Sequence, residues 1–250
     1  MSQKPPSTYA SLAPFRDYFA GGLPILMYHK LGPRPRGTRL KGMYVGDKLF
    51  ARQMKELRAD GYRSLDFDAV ARGEAPDAKR IGITFDDGYV NVLRHGLKPL
   101  ADNGFQALQY IVADNIGGAN DWDTAWGEAS EPLMDLGQLR EWLAAGHLIG
   151  SHTRSHAKLP QIPEAQAREE IVASKKKLED LFGVEVKHFC YPYGFWNERV
   201  RDLVAEAGYQ TATTTQFGLN DAATPPLELR RIMARYASWG LRGLRQRLFG

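Results

Sequence analysis

The 250-residue chain has one cysteine, Cys190, so no intrachain disulfide can staple it. It has no run of about 18 apolar residues, which excludes a membrane-spanning helix of ordinary length. Neither charge sign dominates: 33 Lys and Arg stand against 29 Asp and Glu, a net +4. That modest excess can steer an anionic partner but does not decide function, and the absence of a recognition motif or interleaved aromatics beside the basic residues argues against nucleic-acid binding. Arg230, Arg231, Arg235, Arg242, Arg245 and Arg247 crowd near the end. They read first as a solvated helix face and strand ends. No apolar stretch develops after Lys4-Pro5-Pro6-Ser7-Thr8, so a secretory leader is not visible. If Met1 is the natural start the expectation is the cytoplasm, and otherwise the cell envelope.

What is present is ordinary globular composition, 43% hydrophobic and 25% charged, with short apolar runs alternating with stretches of helical period. The runs are Leu23 to Tyr28, Ile81 to Phe85, Gln106 to Val112, His147 to Gly150, Val186 to Tyr191, Gln210 to Thr214 and Leu229 to Arg235. Helices are predicted at Asp47–Asp60, Gly137–Ala145, Glu164–Phe182 and Asn197–Ala207, the last closed by Gly208. Strands alternating with helices predict a parallel α/β sheet with right-handed crossovers, either closed into a barrel or open and doubly wound. Residues 1–22 read as an N-terminal extension and 23–250 as one catalytic domain. The 113–132 stretch, rich in Gly, Asp and Trp, is long enough to act as a lid.

In parallel α/β folds, chemistry gathers where strands end. Ile81–Phe85 ends in Asp86-Asp87-Gly88. Adjacent carboxylates there are costly unless a cation neutralises one and leaves the other as a base, although a solvated turn is the alternative. His147–Gly150 runs into Ser151-His152-Thr153-Arg154-Ser155-His156. Two His four apart on a helical turn can bind one metal ion. With one carboxylate they make a three-ligand set that leaves room for water and substrate. The strand before Tyr191-Pro192-Tyr193-Gly194 leaves into a rigid turn able to offer a backbone N–H to an oxyanion. Leu26-Met27-Tyr28-His29 ends the first strand in a His.

Thr84-Phe85-Asp86-Asp87-Gly88-Tyr89, His152-Thr153-Arg154-Ser155-His156 and Tyr191-Pro192-Tyr193-Gly194 resemble, in order and separation, the first three motifs of the polysaccharide deacetylases. These are the carbohydrate esterase family 4 enzymes with a NodB-type domain, and the resemblance extends from about Leu23 to Tyr236. It implies a distorted (β/α)7-type barrel of parallel strands. It also implies an N-deacetylase that removes acetyl groups from N-acetylated sugars with one divalent metal ion, Zn²⁺ before Co²⁺, Ni²⁺ or Mn²⁺. Carried over by position, Asp86 is the base, Asp87, His152 and His156 the metal ligands, and Tyr193 an oxyanion donor through its amide.

Two departures accompany the resemblance. The Arg that often opens the third motif is replaced by Phe-Cys-Tyr, and no His follows His188 to serve as the usual late acid. The branch that de-N-acetylates poly-N-acetylglucosamine carries that motif at the N-terminus, a circular permutation that Leu26–His29 resembles. His29 is therefore assigned as the acid, and Arg231 as the tether of Asp86. Trp122, Trp126 and Tyr191 are the candidate sugar-contacting aromatics. His95, His147, His188 and Cys190 read as structural. The Arg/Leu-alternating segment 239–249 reads as a packed helix, with a peripheral membrane contact as the further expectation. Alternative functions are a non-catalytic carbohydrate-binding relative and a hydrolase of formyl or O-acetyl groups on a small or lipid-linked sugar.

Overall fold

The structure is a computed structural model that describes residues 5–74, 77–124 and 127–235. Its strands are β1 (Ile25–Tyr28), β2 (Lys30–Leu31), β3 (Tyr44–Val45), β4 (Arg63–Ser64), β5 (Arg80–Phe85), β6 (Leu108–Ile111), β7 (Leu148–Ser151), β8 (His188–Cys190), β9 (Thr211–Thr213) and β10 (Ile232–Met233). The helices are α1 (Arg16–Phe19), α2 (Asp47–Ala59), α3 (Phe67–Ala71), α4 (Val90–Asn103), α5 (Asp121–Thr124), α6 (Leu136–Ala144), α7 (Glu164–Phe182) and α8 (Glu198–Glu206). All seven apolar runs form strands of one parallel sheet in the order β10-β1-β5-β6-β7-β8-β9. β4 adds to β5, and β2 pairs with β3 in a separate ribbon. The short β2, β3 and β4 carry little apolar periodicity, so sequence pattern alone does not find them.

The sheet curls into a barrel. After β9 the chain returns so that Leu229 bridges Thr213, and three residues on Ile232 pairs with Leu26 of β1. One extended segment thus spans the gap between the sheet's two edges. Strand parity then sorts the side chains. Leu26, Tyr28, Ile83, Phe85, Ile111, Ile149, Phe189 and Ile232 join the large core beneath the helices. Ile25, Leu108, Tyr110, Cys190 and Leu229, on alternate positions, form a smaller cluster inside the barrel. Counting on by two from Ile25 reaches His29, from Leu229 Arg231, and from Leu148, which packs against the same cluster, His152. Asp86 continues the Gly82 and Thr84 parity of β5, opposite to Ile83 and Phe85. The period of the strand therefore delivers these polar residues to one end of the barrel interior. Gly150 makes the inner packing possible, because a Cβ there would lie 2.7 Å from the Tyr110 ring and from the His188 carbonyl.

Outside the sheet, α2 buries Leu49, Phe50, Gln53, Met54 and Leu57, the stripe that period 3.6 predicts. Residues 5–22, read from sequence as an extension ahead of the domain, pack into the same core: Tyr9, Leu12, Phe15 and Phe19 are all buried. Tyr9 accepts and donates backbone bonds alongside β10, and the Gln53 amide donates to the Tyr9 and Ala10 carbonyls. α6 begins with a reciprocal capping box between Asp135 and Gln138, and α8 is capped by Asn197 and followed by Gly208 at φ +80°. No described helix is long and apolar enough to cross a membrane. Arg242, Arg245, Arg247 and the 239–249 segment lie outside the described residues.

Candidate active site

At the C-terminal end of the barrel strands, a cavity of about 230 Å³ is lined by His29, Asp86, Asp87, His152, His156 and Tyr193, with Met27, Met43 and Met233 on its apolar side. Asp86 ends β5 and is fixed from below. Arg231 Nη1 donates to its Oδ1 at 2.7 Å and Nη2 to its Oδ2 at 2.8 Å, a bidentate clamp on a fully buried pair. The guanidinium is itself held by the Thr214 carbonyl at 2.8 Å and Thr84 Oγ1 at 3.1 Å. Burial works to raise the Asp86 carboxyl, but Arg231 and then His29 outweigh it and hold it below the usual carboxylate range. Arg231 is accordingly no solvated strand-end charge; inward strand parity places it under Asp86.

Asp87 breaks the alternation. Its φ of +74°, followed by Gly88 at +90°, turns the carboxylate beside the imidazoles instead of away from the barrel. Its Oδ1 lies 3.4 Å from His152 Nε2 and 3.4 Å from His156 Nε2 and has no hydrogen-bond partner. His152 donates Nδ1–H to the Cys190 carbonyl at 2.7 Å, which aims Nε2 at Asp87. Burial holds His156 neutral, its pKa pushed down to about 3.

This donor set fits a divalent cation. With bonds of about 2.0–2.1 Å, tetrahedral ligands stand about 3.3 Å apart, close to the two separations observed. A second grouping, Asp86, His152 and Cys190, also brings three donor atoms together. The Arg231 guanidinium sits within it, 3.2 Å from Cys190 Sγ, so a positive charge already occupies that place.

The structure corrects the local conformation expected for the His pair. Residues 152–156 form no helical turn: Thr153 and His156 have φ of +67° and +64°, and the loop folds back on itself to bring both rings to one point. Among the described residues five non-glycines have positive φ, and Asp87, Thr153, His156 and Tyr193 are four of them. Backbone strain concentrated at one place is a mark of a site the fold has been made to hold. No residue pattern in the sequence announced it.

His29 ends β1 with Nε2 3.6 Å from Asp86 Oδ2. Burial lowers its pKa against the opposing pull of Asp86 and Asp87. Tyr193 sits at φ +59° with its ring edge-on to His156, centroids 4.4 Å apart. Trp122 lines the cavity but stacks one face on His156 at 4.6 Å, so that face packs against the imidazole and is closed to a sugar. Tyr191 borders the cavity, with its ring packed in the outer core against Trp196 and its hydroxyl donating to the Leu227 carbonyl. Trp126 lies outside the described residues. The 113–132 stretch is no open lid; Asn120 and the 119–132 bridge tie it down, and buried Glu128 accepts the Arg39 and Leu40 amides at 3.0 and 2.7 Å. His147 and His188 lie at strand starts, away from the cavity, as expected for structural residues.

A parallel barrel that gathers a carboxylate–imidazole donor set beside a separately clamped carboxylate is the architecture of the carbohydrate deacetylases. The polysaccharide deacetylase family model matches residues 73–212, more than half of the chain, and the protein belongs to that family. YxkH of Bacillus subtilis, named as a polysaccharide deacetylase, is 29% identical over 200 residues, covering 78% of this chain and 65% of its own length. A chitin deacetylase of Cryptococcus neoformans is 26% identical over 157 residues, 59% of this chain and 30% of that one. The chain thus spans less than two thirds of these curated relatives. The solved Streptococcus pyogenes deacetylase PplD shares the fold with a TM-score of 0.74, covering 90% of this chain and 97% of that one at 24% identity. The matched region stops short of both His29 and Arg231, which only the fold returns to it.

Proposed function

We propose that the protein is a metal-dependent carbohydrate N-deacetylase that hydrolyses the acetamido group of N-acetylated sugars to acetate and a free amine. The observation that carries this reading is the convergence of Asp87 Oδ1, itself without a hydrogen-bond partner, with His152 and His156 beside an Asp86 whose charge is secured independently by Arg231. A divalent cation held by Asp87, His152 and His156, Zn²⁺ before Co²⁺, Ni²⁺ or Mn²⁺, would supply Lewis acidity and make water more acidic.

The chain's own groups do the rest. Ionised Asp86 accepts the proton of the attacking water as a new C–O bond forms at the acetyl carbon. The Tyr193 amide stabilises the developing oxyanion. His29, neutral through burial and 3.6 Å from Asp86 Oδ2, passes the proton taken up by Asp86 to the departing nitrogen as the C–N bond breaks. The buried site excludes bulk water, so each charge interaction acts at low dielectric. Met27, Met43 and Met233 supply an apolar wall suited to the acetyl methyl.

An oligomeric substrate is favoured over a single sugar. Gly194 joins the cavity to an open cleft bordered by Gln161, Phe195, Trp196, Asn197 and Gln216, where the Phe195 ring is 44% exposed. An exposed aromatic face flanked by amides is a surface on which a second pyranose can stack. The test is acetate release from N-acetylglucosamine and its oligomers, using protein stripped by chelator and reloaded with Zn²⁺ or Co²⁺, beside Asp86→Asn. Cation-dependent acetate from oligomers, lost in the variant, supports the proposal. A loaded protein that releases no acetate from any of them refutes it.

A further inference from the structure

The hairpin-like loop that carries His156 has no regular hydrogen-bond ladder, and both Thr153 and His156 adopt a left-handed backbone, which is a true outlier for a β-branched Thr. Something must select that shape. The carbonyls of Thr153 and Arg154 are satisfied by the amides of Ala113 and Asp114 at 3.0 and 2.8 Å. The His156 amide donates to Thr153 Oγ1 at 3.0 Å. The amides at the tip go elsewhere: Arg154 and Ser155 both donate to Oε2 of Glu170, each at 3.0 Å, and Ser155 Oγ donates to its Oε1 at 2.7 Å. Glu170 projects from α7, is 7% exposed, and has no cationic partner among the ion pairs of the described residues. A buried carboxylate that three neutral donors from one loop satisfy is a template for the loop's fold.

We propose that Glu170 is a positioning residue for the cation site, holding the 153–156 loop in the one conformation that brings His156 Nε2 within 3.4 Å of Asp87 Oδ1. It touches no reacting atom and acts through the loop amides alone. The inference rests on the cation reading above, since the quantity Glu170 controls is the geometry of that donor set. The carboxylate cannot be replaced by water without loss. Water would satisfy the amides but would not tie them to α7, and the strained dihedrals would relax away from the ligand arrangement. The neighbouring Arg154 side chain is bound outward by Asp114 and Glu169, so it does not compete for Glu170.

The test measures Co²⁺ and Zn²⁺ affinity and the visible spectrum of the Co²⁺-loaded protein for the parent, Glu170→Gln, Glu170→Ala and Ser155→Ala. Glu170→Gln retains an oxygen for the two amides and an NH₂ to which Ser155 Oγ can turn as acceptor. It is expected to bind within about threefold of the parent. Glu170→Ala is expected to lose about 10- to 100-fold in affinity, the range for removing a group that orients a ligand, with an altered Co²⁺ spectrum. Ser155→Ala, which removes one of the three bonds, should fall between. Should Glu170→Ala not fold, the ordering of parent, Gln and Ser155→Ala decides. A folded Glu170→Ala with parental affinity and spectrum, or equal binding by Ser155→Ala and the parent, overturns the proposal even if thermal stability drops. A parent that binds no cation at all would instead remove the functional reading beneath it.

Discussion

Replacing Arg231 by Met keeps a long side chain in the barrel and removes the only full positive charge in contact with Asp86 among the described residues. Five polar contacts disappear: two to Asp86 and one each to the Thr214 carbonyl, Thr84 Oγ1 and Cys190 Sγ. The Asp86 side chain is 3% exposed, so no water layer can replace them. Breaking one side of a buried ion pair costs about 3–5 kcal/mol. In a domain of this size each kcal/mol is about 2–4 °C, so the melting temperature at pH 8 should fall by roughly 6–20 °C.

The sign of the pH dependence makes this prediction specific. In the parent, the Asp86 carboxyl is held below its usual value, so its contribution is present above the unfolded pKa and is lost as pH falls through the folded one. Without Arg231, burial dominates and the folded pKa rises above the unfolded value. The variant's deficit must then shrink on acidification, while the acid limb of its activity profile moves to higher pH. Adding Asp86→Leu to Arg231→Met should recover much of the lost stability, because no charge is left buried alone. Calorimetry on metal-free protein from pH 5 to 8, with a pH–rate profile of the loaded enzyme, checks both. A deficit below about 1 kcal/mol that does not change with pH would refute the argument.

Three other expectations follow from the same geometry. His29→Gln should lower kcat by about 10²–10⁴ with cation content unchanged by elemental analysis, as general acid–base groups typically contribute that much; loss of bound cation in this variant would place His29 in the wrong role. His156→Ala should lose both the bound cation and the stability that added Zn²⁺ confers, read as the shift in melting temperature with and without chelator. His188 accepts or donates at Thr211 Oγ1 and is buried with its pKa lowered to about 4. The unfolded chain therefore takes up a proton first, and stability should fall by about 2 kcal/mol from pH 8 to pH 5 on this account; a His188→Gln protein with the parent's full acid sensitivity would contradict it.

Much of the molecule was legible before folding because it rests on short-range periodicity. The seven main strands, the 3.6-residue stripe of α2 and the span of α7 each follow from which local face is apolar. Asp86-Asp87, His152, His156 and His29 could be placed at strand ends on the same ground. Strand ends in a parallel sheet converge, so residue types at those positions predict a shared site. Tyr191 also follows an apolar strand and borders the cavity, but its ring lies on the outward parity, which strand position alone does not reveal. The loop of the His pair misled because spacing of four is helical only when the backbone is, and Thr153 and His156 are not.

What the linear pattern determined, then, is which residues reach the end of a strand and on which face. Tertiary structure decided which of them meet. Asp86 lies inside the matched region and Arg231 beyond its end, and only closure of the barrel through β1 and β10 makes them a 2.7 Å pair. Glu170 clasps a loop 15 residues away by its carboxylate, a contact no local pattern encodes. The four left-handed residues at the site belong to this second category. Isolated chains avoid such conformations, and the packed barrel holds them because its many other contacts outweigh their cost.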